Sequence, residues 1–597
     1  MPNPLLSDRD VEFLLYHVHD AEGLCSLPPF RDFSRGDFDL FLQAVRRFAR
    51  EELYPSYRIM DSDPPVLEAG RVRVHPQMRA IYPRIIELGL LTATRPPEAG
   101  GQHLPLTVFS AAAAYLMAAN GAAFGFAFLT TGAAHLIEAF GTEELKERFM
   151  APMYEGRFTG TMALTEPQAG SSLADVATRA VPAGDGSYRV TGSKIFISGG
   201  DNDFADNVVH LTLARLDGAP PGTRGLSLFA IPRLRPAKDG FEDNDVHVAG
   251  MVHKIGWKGL PSLILSFGER DDCRGWLVGE PNRGLSHMFQ MMNEARILVG
   301  LTAAATAAVA YQESLEYAQI RTQGRPMSER DPASKPVPII AHADVKRMLL
   351  RQKAITEGAL SLLLETGRFA DVAEHAQDPG ERARARLLVD LLTPVAKTFA
   401  AEKGFESNVL AMQIHGGYGY SSEYPVEAWL RDQKLNSIHE GTSGIQAMDL
   451  LGRKVVAQGG AVFAAFQAEV TASVRAAREA SVPAAWCDSL ERALGLIGNL
   501  TAELGAIGLS GDAERMLRHA SDYMDAFSAM CVGWQWLKQA TSATRLLDKG
   551  EGDRAFLEGK RAAAQYWFAN EVARVPGLVE LCRGGDDSHV RARVDWF

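Results

Sequence analysis

The stretch KIFISGGDND, residues 194–203, decides the fold class. Its apolar side chains recur with a period of two, which is typical of a β-strand, and Gly199-Gly200 ends the run. Comparable short runs, separated by Gly, Pro, Asn and Asp, extend from about residue 159 to about residue 285. On both sides of this region apolar residues recur at helical spacing. The pattern predicts a mainly α-helical protein with an inserted β-domain.

The chain has 597 residues, too many for one hydrophobic core, so several domains are expected. The changes in periodicity place an N-terminal α-helical domain at residues 1–158 and the β-domain at residues 159–285. A helical bundle is predicted at residues 286–455, and a C-terminal helical extension at residues 456–597. A polar, Pro-containing insertion, residues 322–341, separates the first two long helices of the bundle.

No residue between Val108 and Leu136 is charged, and this segment is long enough to cross a bilayer. It consists largely of Ala, Gly and Thr, however, and Asn120-Gly121 and Thr130-Thr131-Gly132 interrupt it. We predict two buried helices joined by a turn, and no membrane span.

Composition excludes several classes of protein. The formal net charge is -11 and no long Lys/Arg run is present, so binding of nucleic acid is not expected. The five cysteines form no CxxC pair, which argues against a zinc site or a disulfide framework and predicts a reducing compartment. The first residues, MPNPLLSDRDVEF, do not resemble a signal peptide. We expect a cytoplasmic protein without a metal site.

Two segments of the β-region carry residues suited to a cofactor. In TMALTEPQAGSS, residues 161–172, Pro167 and Gly170 indicate a turn whose free N–H groups could hold phosphate oxygens. In the strand that begins at Lys194, Phe196 and Ser198 are expected on one face, where a flat ring with a polar edge would fit. Taken alone, the first segment is better explained as a plain connection into a strand, and the second as a core aromatic in a β-sandwich.

Two further segments lie in the helical bundle region. In MQIHGGYGYSSEYPVEAWLRD, residues 412–432, a helix is expected to end at Gly416-Gly417, which would expose backbone to a ligand or simply cap the helix. In NSIHEGTSGIQAMDLLGRKV, residues 436–455, Glu440 precedes Thr442, a predicted N-cap of the next helix. A carboxylate in such a place is often only a surface or capping residue.

In this order and at this separation, the four segments closely resemble the motifs of the acyl-CoA dehydrogenase family: a TEPxAGS loop, a (W/F)I(T/S)xGG strand, a QxxGGxGY helix end and a YEGT loop. The resemblance covers roughly residues 40 to 455. The extended N-terminus and the helical tail resemble the longer subgroup that includes the 3-methylmercaptopropionyl-CoA dehydrogenases.

The resemblance implies an α-helical domain, a β-barrel domain and a four-helix bundle, with FAD extended between the last two. It implies that several motifs contribute cofactor contacts, and that some of these residues contact the FAD of a neighbouring subunit across a dimer interface. These residues are Met162, Thr165, Gly170 and Ser171 along the flavin and pyrophosphate, Phe196 and Ser198 at the isoalloxazine ring, Arg321, Gln413, Gly416 and Gly417 toward a neighbouring subunit's FAD, and Thr442.

The resemblance also implies the chemistry. Glu440 would remove the α-proton of an acyl-CoA thioester while the β-hydrogen leaves as hydride to flavin N5. The thioester carbonyl would lie between the backbone N–H of Glu440 and the ribityl 2′-hydroxyl, a preorganised oxyanion hole. Burial should raise the pKa of Glu440 toward neutrality. Ser171, Arg296 and Gly441 are expected to contact the substrate. An electron-transfer flavoprotein would reoxidise the flavin.

The chain departs from the family pattern in three places. His439 replaces a frequent Tyr before the base, and Gly444 replaces a frequent Gln after Thr442. Asn293 and Glu294 stand where an Asp is more usual. The sequence does not specify the acyl chain.

Two other functions use the same fold. An acyl-CoA oxidase has the same base and flavin but lets oxygen reach the reduced ring. A DNA-binding flavoprotein, as in the alkylation-response relatives, would need Lys/Arg contacts to phosphate, and the acidic tail argues against it. Because tails in this position cover surface that shorter members use for tetramer contacts, a homodimer is expected.

Overall fold

The computed structural model describes residues 3–238 and 240–597, except for the side chains of residues 290–293. The chain packs into two compact units. The bundle unit contains the chain up to Phe38, the segment Pro105–Ala114 and Arg296–Phe597, and the sheet unit contains Asp39–Leu104 and Tyr115–Ala295. The division into four domains derived from periodicity stays a prediction.

Helices form most of the chain. Those of seven or more residues in the described ranges are α1 Arg35–Phe48, α2 Ser56–Ser62, α3 Met78–Glu87, α4 Leu106–Phe140, α5 Gly284–Ile320, α6 Ala343–His375, α7 Pro379–His415, α8 Val426–Leu435, α9 Ser443–Asp449, α10 Ala461–Glu479, α11 Ala484–Leu509, α12 Ala520–Lys549, α13 Arg554–Asn570 and α14 Val575–Gly584. Side-chain caps begin several of them. Asp378 accepts from the Glu381 N–H at α7, and Asp553 accepts from the Phe556 N–H at α13.

The strands lie in the sheet unit. They are β1 Val66–Glu68, β2 Arg71–Arg73, β3 Phe158–Ala163, β4 Arg179–Pro182, β5 Tyr188–Ser198, β6 Asn207–Leu216, β7 Leu226–Pro232, β8 Leu234–Ala237, β9 Gly240–Asp243, β10 Val246–Met251, β11 Ser262–Phe267 and β12 Arg274–Val278. Eight of them form one sheet in the order β10-β11-β5-β12-β7-β6-β3, with β4 pairing both β5 and β6. β1 pairs with β2 and β8 with β9 in two small antiparallel sheets. Leu211, Leu213 and Leu228 of the large sheet are fully buried in its core.

The uncharged segment forms the long helix α4, whose only non-helical backbone is at Asn120, with φ -161° and ψ 87°. The predicted break at Asn120 is therefore confirmed, whereas the predicted interruption at residues 130–132 is not. These residues stay helical, and the Thr130 hydroxyl donates to the Phe126 carbonyl four residues earlier. By length and apolar composition, α4 and residues Glu294–Ile320 of α5 could each span a membrane. In each, 83% of the most apolar window is buried in the fold, as in core helices of globular proteins.

Three long helices approach closely in the bundle unit. A Cβ at Gly300 of α5 would lie 2.7 Å from Leu363 Cδ2 of α6 and 3.3 Å from Lys397 Cα of α7, so glycine allows this packing. The short helix α8 is fixed to α7 because Asn408 Nδ2 donates to the Trp429 carbonyl at 3.0 Å. The turns at the two ends of α8 carry the glycine motif and Glu440.

The C-terminal extension is part of the bundle unit. Its central helix, α12, is mostly buried against α10, α11, α13 and α14 and contacts α6 and α9. The indole of Trp536 in α12 donates to the Ala354 carbonyl of α6 at 3.0 Å. The extension therefore shares a core with the bundle.

The main class, helices with an inserted β-domain and a helical C-terminal extension, agrees with the prediction. Several short strands carry too few alternating residues to be predicted. These are β1, β2, β4, β8, β9 and β12. The hairpin of β1 and β2 lies in a region predicted as purely helical; its turn at Ala69-Gly70 has positive φ at both residues.

Candidate active site

The TEPQAGSS loop of the sheet unit is anchored by a buried carboxylate. Glu166 accepts hydrogen bonds from the N–H groups of Ala177 and Thr178, and from the ammonium of Lys194 at 2.8 Å. Lys194 is fully buried and also donates to the Leu164 carbonyl at 3.0 Å. Burial raises the pKa of Glu166, but Lys194 and the hydrogen bonds outweigh it and lower the pKa to about 2.

The anchored carboxylate leaves the rest of the loop at the surface. The N–H and carbonyl groups of Glu166 and Ala169 bond to each other, so Pro167 lies in a turn, as predicted. Gly170 and Ser171 are exposed, and a Cβ at Gly170 would meet only Thr165 Cγ2 at 3.9 Å. Met162 and Thr165 are half-buried. The loop thus presents backbone and hydroxyl groups that suit phosphate oxygens, and these four cofactor assignments stay predictions.

The strand β5 is irregular where the predicted flavin contacts lie. Between Lys194 and Ile197 its pairing with β11 shifts by one residue, which is a β-bulge. Phe196 falls in this bulge with φ +61°, in the left-handed region, and its side chain is 59% exposed. Ile197 is buried and Ser198 is half-buried. An aromatic ring held outward by a strained backbone fits a planar ligand better than a core role.

In the bundle unit, a cavity of about 520 Å³ lies where α7 ends. Arg321, Gly416 and Gly417, three of the predicted cofactor residues, line it. Gln413 is exposed on the last turn of α7 and is not among the lining residues. The structure therefore brings three of these four residues together.

The wall of this cavity contains an unsatisfied polar atom. His415 is 2% exposed, and its Nδ1 bonds to the Ala411 carbonyl, but its Nε2 has no partner among the described residues. Its ring stacks on Tyr317 with centroids 4.3 Å apart. Gly416 ends α7 with φ +61°, and a Cβ there or at Gly417 would meet nothing within 4 Å. Open glycine backbone, an arginine, aromatic rings and an unpaired ring nitrogen together fit a nucleotide portion of FAD.

Glu440 lies in a tight turn between α8 and α9. Its φ is +51° and that of Gly441 is +88°, so both residues are left-handed. Gln446 Nε2 donates to the Glu440 carbonyl at 2.9 Å, and Lys397 Nζ donates to the Gly441 carbonyl at 2.8 Å. Thr442 caps α9 by accepting from the Ile445 N–H, as the sequence predicts. Strain of this kind in a non-glycine residue typically costs about 1–3 kcal/mol and is concentrated at functional sites.

Burial and the neighbouring positive charges have opposing effects on the pKa of Glu440. Burial raises the pKa of Glu440, and the positive charges of Arg296 and Lys397 lower it by less, so the pKa lies above that of an ordinary glutamate. Arg296 is buried and pairs with Asp449, Nη1 to Oδ2, at 3.2 Å. A carboxylate with a raised pKa on a fixed turn can accept a proton.

The departures from the family pattern have different surroundings. His439 is half-buried, and its Nε2 is 3.3 Å from Asn436 Oδ1. A Cβ at Gly444 would meet nothing within 4 Å. Glu294 pairs with His135 of the same unit at 3.2 Å, whereas the side chain of Asn293 lies outside the described residues.

The sequence did not single out the groups that hold these motifs in place. Lys194 and Lys397 are lysines in otherwise regular elements, and their partners Glu166 and Gly441 are 28 and 44 residues away along the chain. Gln446 bonds to a carbonyl only six residues earlier, but across a turn whose shape the sequence does not reveal. The one local signal was the apolar surroundings of each lysine: Lys194 precedes IFI and Lys397 lies between Val395-Ala396 and Thr398-Phe399.

Family models cover most of the chain. The acyl-CoA dehydrogenase N-terminal domain matches residues 37–157, the middle domain residues 161–269 and the C-terminal domain residues 282–455. A model described as acetyl-CoA dehydrogenase C-terminal like matches residues 466–593, within the extension.

Known proteins match over nearly the whole length. The chain is 36% identical to 3-methylmercaptopropionyl-CoA dehydrogenase of Ruegeria pomeroyi, over 94% of this chain and 95% of that protein. It is 33% identical to a butyryl-CoA dehydrogenase of Syntrophomonas wolfei, over 98% of each. An acyl-CoA dehydrogenase of Bacillus anthracis complexed with FAD has the same fold, with a TM-score of 0.74 at 19% identity, over 97% of this chain and 91% of that one. The chain therefore belongs to the acyl-CoA dehydrogenase family and is an FAD-dependent oxidoreductase that dehydrogenates acyl-CoA thioesters.

Proposed function

We propose that Glu440 is the catalytic base, which removes the α-proton of the acyl-CoA. The observation that carries this assignment is the turn itself. Glu440 has a strained backbone, and its own carbonyl and that of Gly441 accept hydrogen bonds from the side chains of Gln446 and Lys397. Most surface or capping carboxylates have no such support. Burial also raises the pKa of Glu440, which brings it closer to working pH and makes it a stronger base.

The turn also provides the group that stabilises the developing enolate. We propose that the backbone N–H of Glu440 donates to the thioester carbonyl, a contact typically worth about 3–4 kcal/mol in the transition state. The bonds to the Glu440 and Gly441 carbonyls hold the two peptide planes that follow Glu440, and so restrain the turn from which its N–H projects. FAD, when bound, accepts the hydride from the β-carbon.

Two surfaces would hold the cofactor. We propose that Phe196 and Ser198 contact the isoalloxazine ring and that the TEPQAGSS loop, through Ser171, contacts the phosphates. The cavity at Gly416 and Arg321 would take the adenosine portion of an FAD bound to a second copy, so the active protein would be a homodimer. Open backbone at Gly416 and the unpaired His415 nitrogen support an incoming nucleotide.

The substrate and the electron acceptor are proposed from chemistry and from the relatives. The names 3-methylmercaptopropionyl-CoA and butyryl-CoA both describe short, unbranched acyl groups, so we propose short linear acyl-CoA as the substrate class. We propose an electron-transfer flavoprotein as the electron acceptor. We propose the cytoplasm as the location, because all five cysteines are free thiols, as expected in a reducing compartment.

An anaerobic titration of the flavin-loaded protein tests the base assignment. A panel of linear acyl-CoAs of increasing length is added to wild type, and bleaching of the flavin is followed. Short chains should reduce the flavin at the lowest concentrations. Glu440→Gln should still bind acyl-CoA, seen as a perturbed flavin spectrum, but should not be reduced.

Glu427→Gln provides a matched control, because Glu427 is also half-buried in the bundle unit but pairs with Arg431 on α8. It should be reduced like wild type. Normal reduction of Glu440→Gln would show that another group is the base. Rapid formation of hydrogen peroxide on admission of air would favour an oxidase over a dehydrogenase.

A further inference from the structure

Lys397 is a buried cation directed at the turn that carries Glu440. It lies in the middle of α7, is fully buried, and its Nζ donates to the Gly441 carbonyl at 2.8 Å. This carbonyl belongs to the second residue of the left-handed pair, so the bond fixes the peptide plane that follows Gly441. Gln446 fixes the preceding carbonyl from α9.

An ammonium group is an expensive way to hold one carbonyl. Desolvation of a buried lysine is costly, and it lowers the pKa of Lys397 to about 8, with the charges of Glu440 and Glu402 partly opposing the shift. The third charged group that acts on Lys397 is Arg296, which also lowers its pKa. A neutral donor could make the same hydrogen bond, which implies that the positive charge has a use of its own.

That use follows from the position of the charge. Arg296 and Lys397 are the two groups whose charges lower the pKa of Glu440. Arg296, however, is itself paired with Asp449, whose negative charge offsets part of its effect at a distance. Lys397 makes its hydrogen bond to a neutral carbonyl, so its field is not neutralised by that partner.

We infer that Lys397 is a positioning residue for the dehydrogenation: it fixes the Glu440 turn through the Gly441 carbonyl, and its charge favours the carboxylate form of Glu440. This inference rests on the proposed role of Glu440 as base. It assigns to Lys397 two separable effects, one of geometry and one of charge, and substitutions can separate them.

Three variants of the full-length, FAD-loaded protein make the test. Lys397→Met removes donor and charge, Lys397→Gln keeps a donor without charge, and Lys397→Arg keeps both. The rate of anaerobic flavin reduction at saturating acyl-CoA is measured as a function of pH, and acyl-CoA affinity is measured separately. Lys454→Met is the control, because Lys454 is a less deeply buried lysine of the bundle unit whose charge is paired with Asp390.

We expect Lys397→Met to reduce the flavin at least about tenfold more slowly, since small displacements of a catalytic group have effects of this size or larger. The acid limb of the pH profile should move to higher pH in both Lys397→Met and Lys397→Gln and return toward wild type in Lys397→Arg. Acyl-CoA affinity should change by less than about threefold, because the substitution destabilises the transition state of proton removal rather than the bound substrate. The Lys454→Met profile should match wild type.

Wild-type rate and an unmoved acid limb in Lys397→Met would overturn the inference. If Lys397→Met fails to fold, or folds but does not retain flavin, the comparison of Lys397→Gln with Lys397→Arg makes the test. The same acid limb in both variants would contradict a role for the charge. A failure of the base assignment looks different, because Glu440→Gln would then still be reduced. If Glu440→Gln is not reduced but the Lys397 variants behave like wild type, the base assignment stands and only the inference about Lys397 is contradicted.

Discussion

Arg296 and Asp449 form a buried ion pair, with Nη1 3.2 Å from Oδ2 and both side chains less than a tenth exposed. The other Asp449 oxygen accepts from Arg453 Nε at 2.8 Å. Arg296 Nε is buried and has no hydrogen-bond partner among the described residues. Arg296 thus joins α5 to α9, the helix that follows the Glu440 turn, and its predicted contact with acyl-CoA stays a prediction.

The pH profile of flavin reduction should depend on Arg296. Because the pKa of Glu440 is raised, the carboxylate form is present above that pKa and is lost as pH falls through it, so the wild-type acid limb should lie above pH 4.5. Arg296 is the stronger of the two charges that oppose the shift, so Arg296→Gln should move the limb to still higher pH. Stopped-flow reduction across a pH series measures this.

The control is Arg453→Gln, since the Arg453 side chain is 64% exposed and solvent screens its charge. Its acid limb should stay close to that of wild type. A limb that moves to lower pH in Arg296→Gln would contradict the electrostatic account of this turn.

Loss of Lys194 should disrupt the loop in the sheet unit. Lys194→Met leaves the Glu166 carboxylate buried without its cation, and breaking a buried pair from one side costs about 3–5 kcal/mol. We expect a lower free energy of unfolding in urea and faster loss of FAD on gel filtration, because the TEPQAGSS loop is anchored through Glu166. Arg189→Met, on the same strand but exposed, should change neither by much. Unchanged FAD retention in a destabilised Lys194→Met would show that the loop does not hold the cofactor.

The parts of the site with a local signature could be predicted from sequence. Thr442 before an apolar helical run indicates an N-cap, and Gly416-Gly417 after a long helix indicates its end; both lie where expected. These features depend only on neighbours along the chain. The left-handed backbone of Phe196 could not be predicted, because the bulge arises from pairing with β11, far along the sequence.

The buried lysines show the same limit of prediction from sequence. A lysine in a helix or strand normally indicates a solvent-facing position, and only the fold reveals that Lys397 and Lys194 point inward at partners from distant segments. The cavity at Gly416 likewise needs Arg321, the residue after α5, and glycines that follow α7. Motif resemblance supplied the residues on its rim, and the structure supplied the unpaired nitrogen of His415.

The C-terminal extension should depend on one buried lysine. Lys560 of α13 pairs with Asp10 and with Glu357 of α6, and its ammonium lies 5.3 Å from the Phe13 ring centre and 5.5 Å from that of Trp536. Lys560→Met would leave two buried carboxylates with less compensation, at a cost of about 3–5 kcal/mol. Urea unfolding should show the loss, and limited proteolysis should cut the extension faster.

Arg554→Met is the comparison for Lys560→Met. Its side chain is 84% exposed and pairs with Glu558 one turn further along α13, so we expect a change of at most about 0.5 kcal/mol. Equal stability of the two variants would mean that the ion pairs of Lys560 with Asp10 and Glu357 do not stabilise the extension.

The central claim, that Glu440 removes the α-proton, can be tested apart from hydride transfer. An acyl-CoA with sulfur in place of the β-carbon has α-hydrogens but no β-hydrogen to lose. Incubated with the FAD-loaded protein in deuterated water, it should gain α-deuterium with wild type and Glu427→Gln, and with Glu440→Gln only at the enzyme-free rate. Exchange by Glu440→Gln at the wild-type rate would contradict the account.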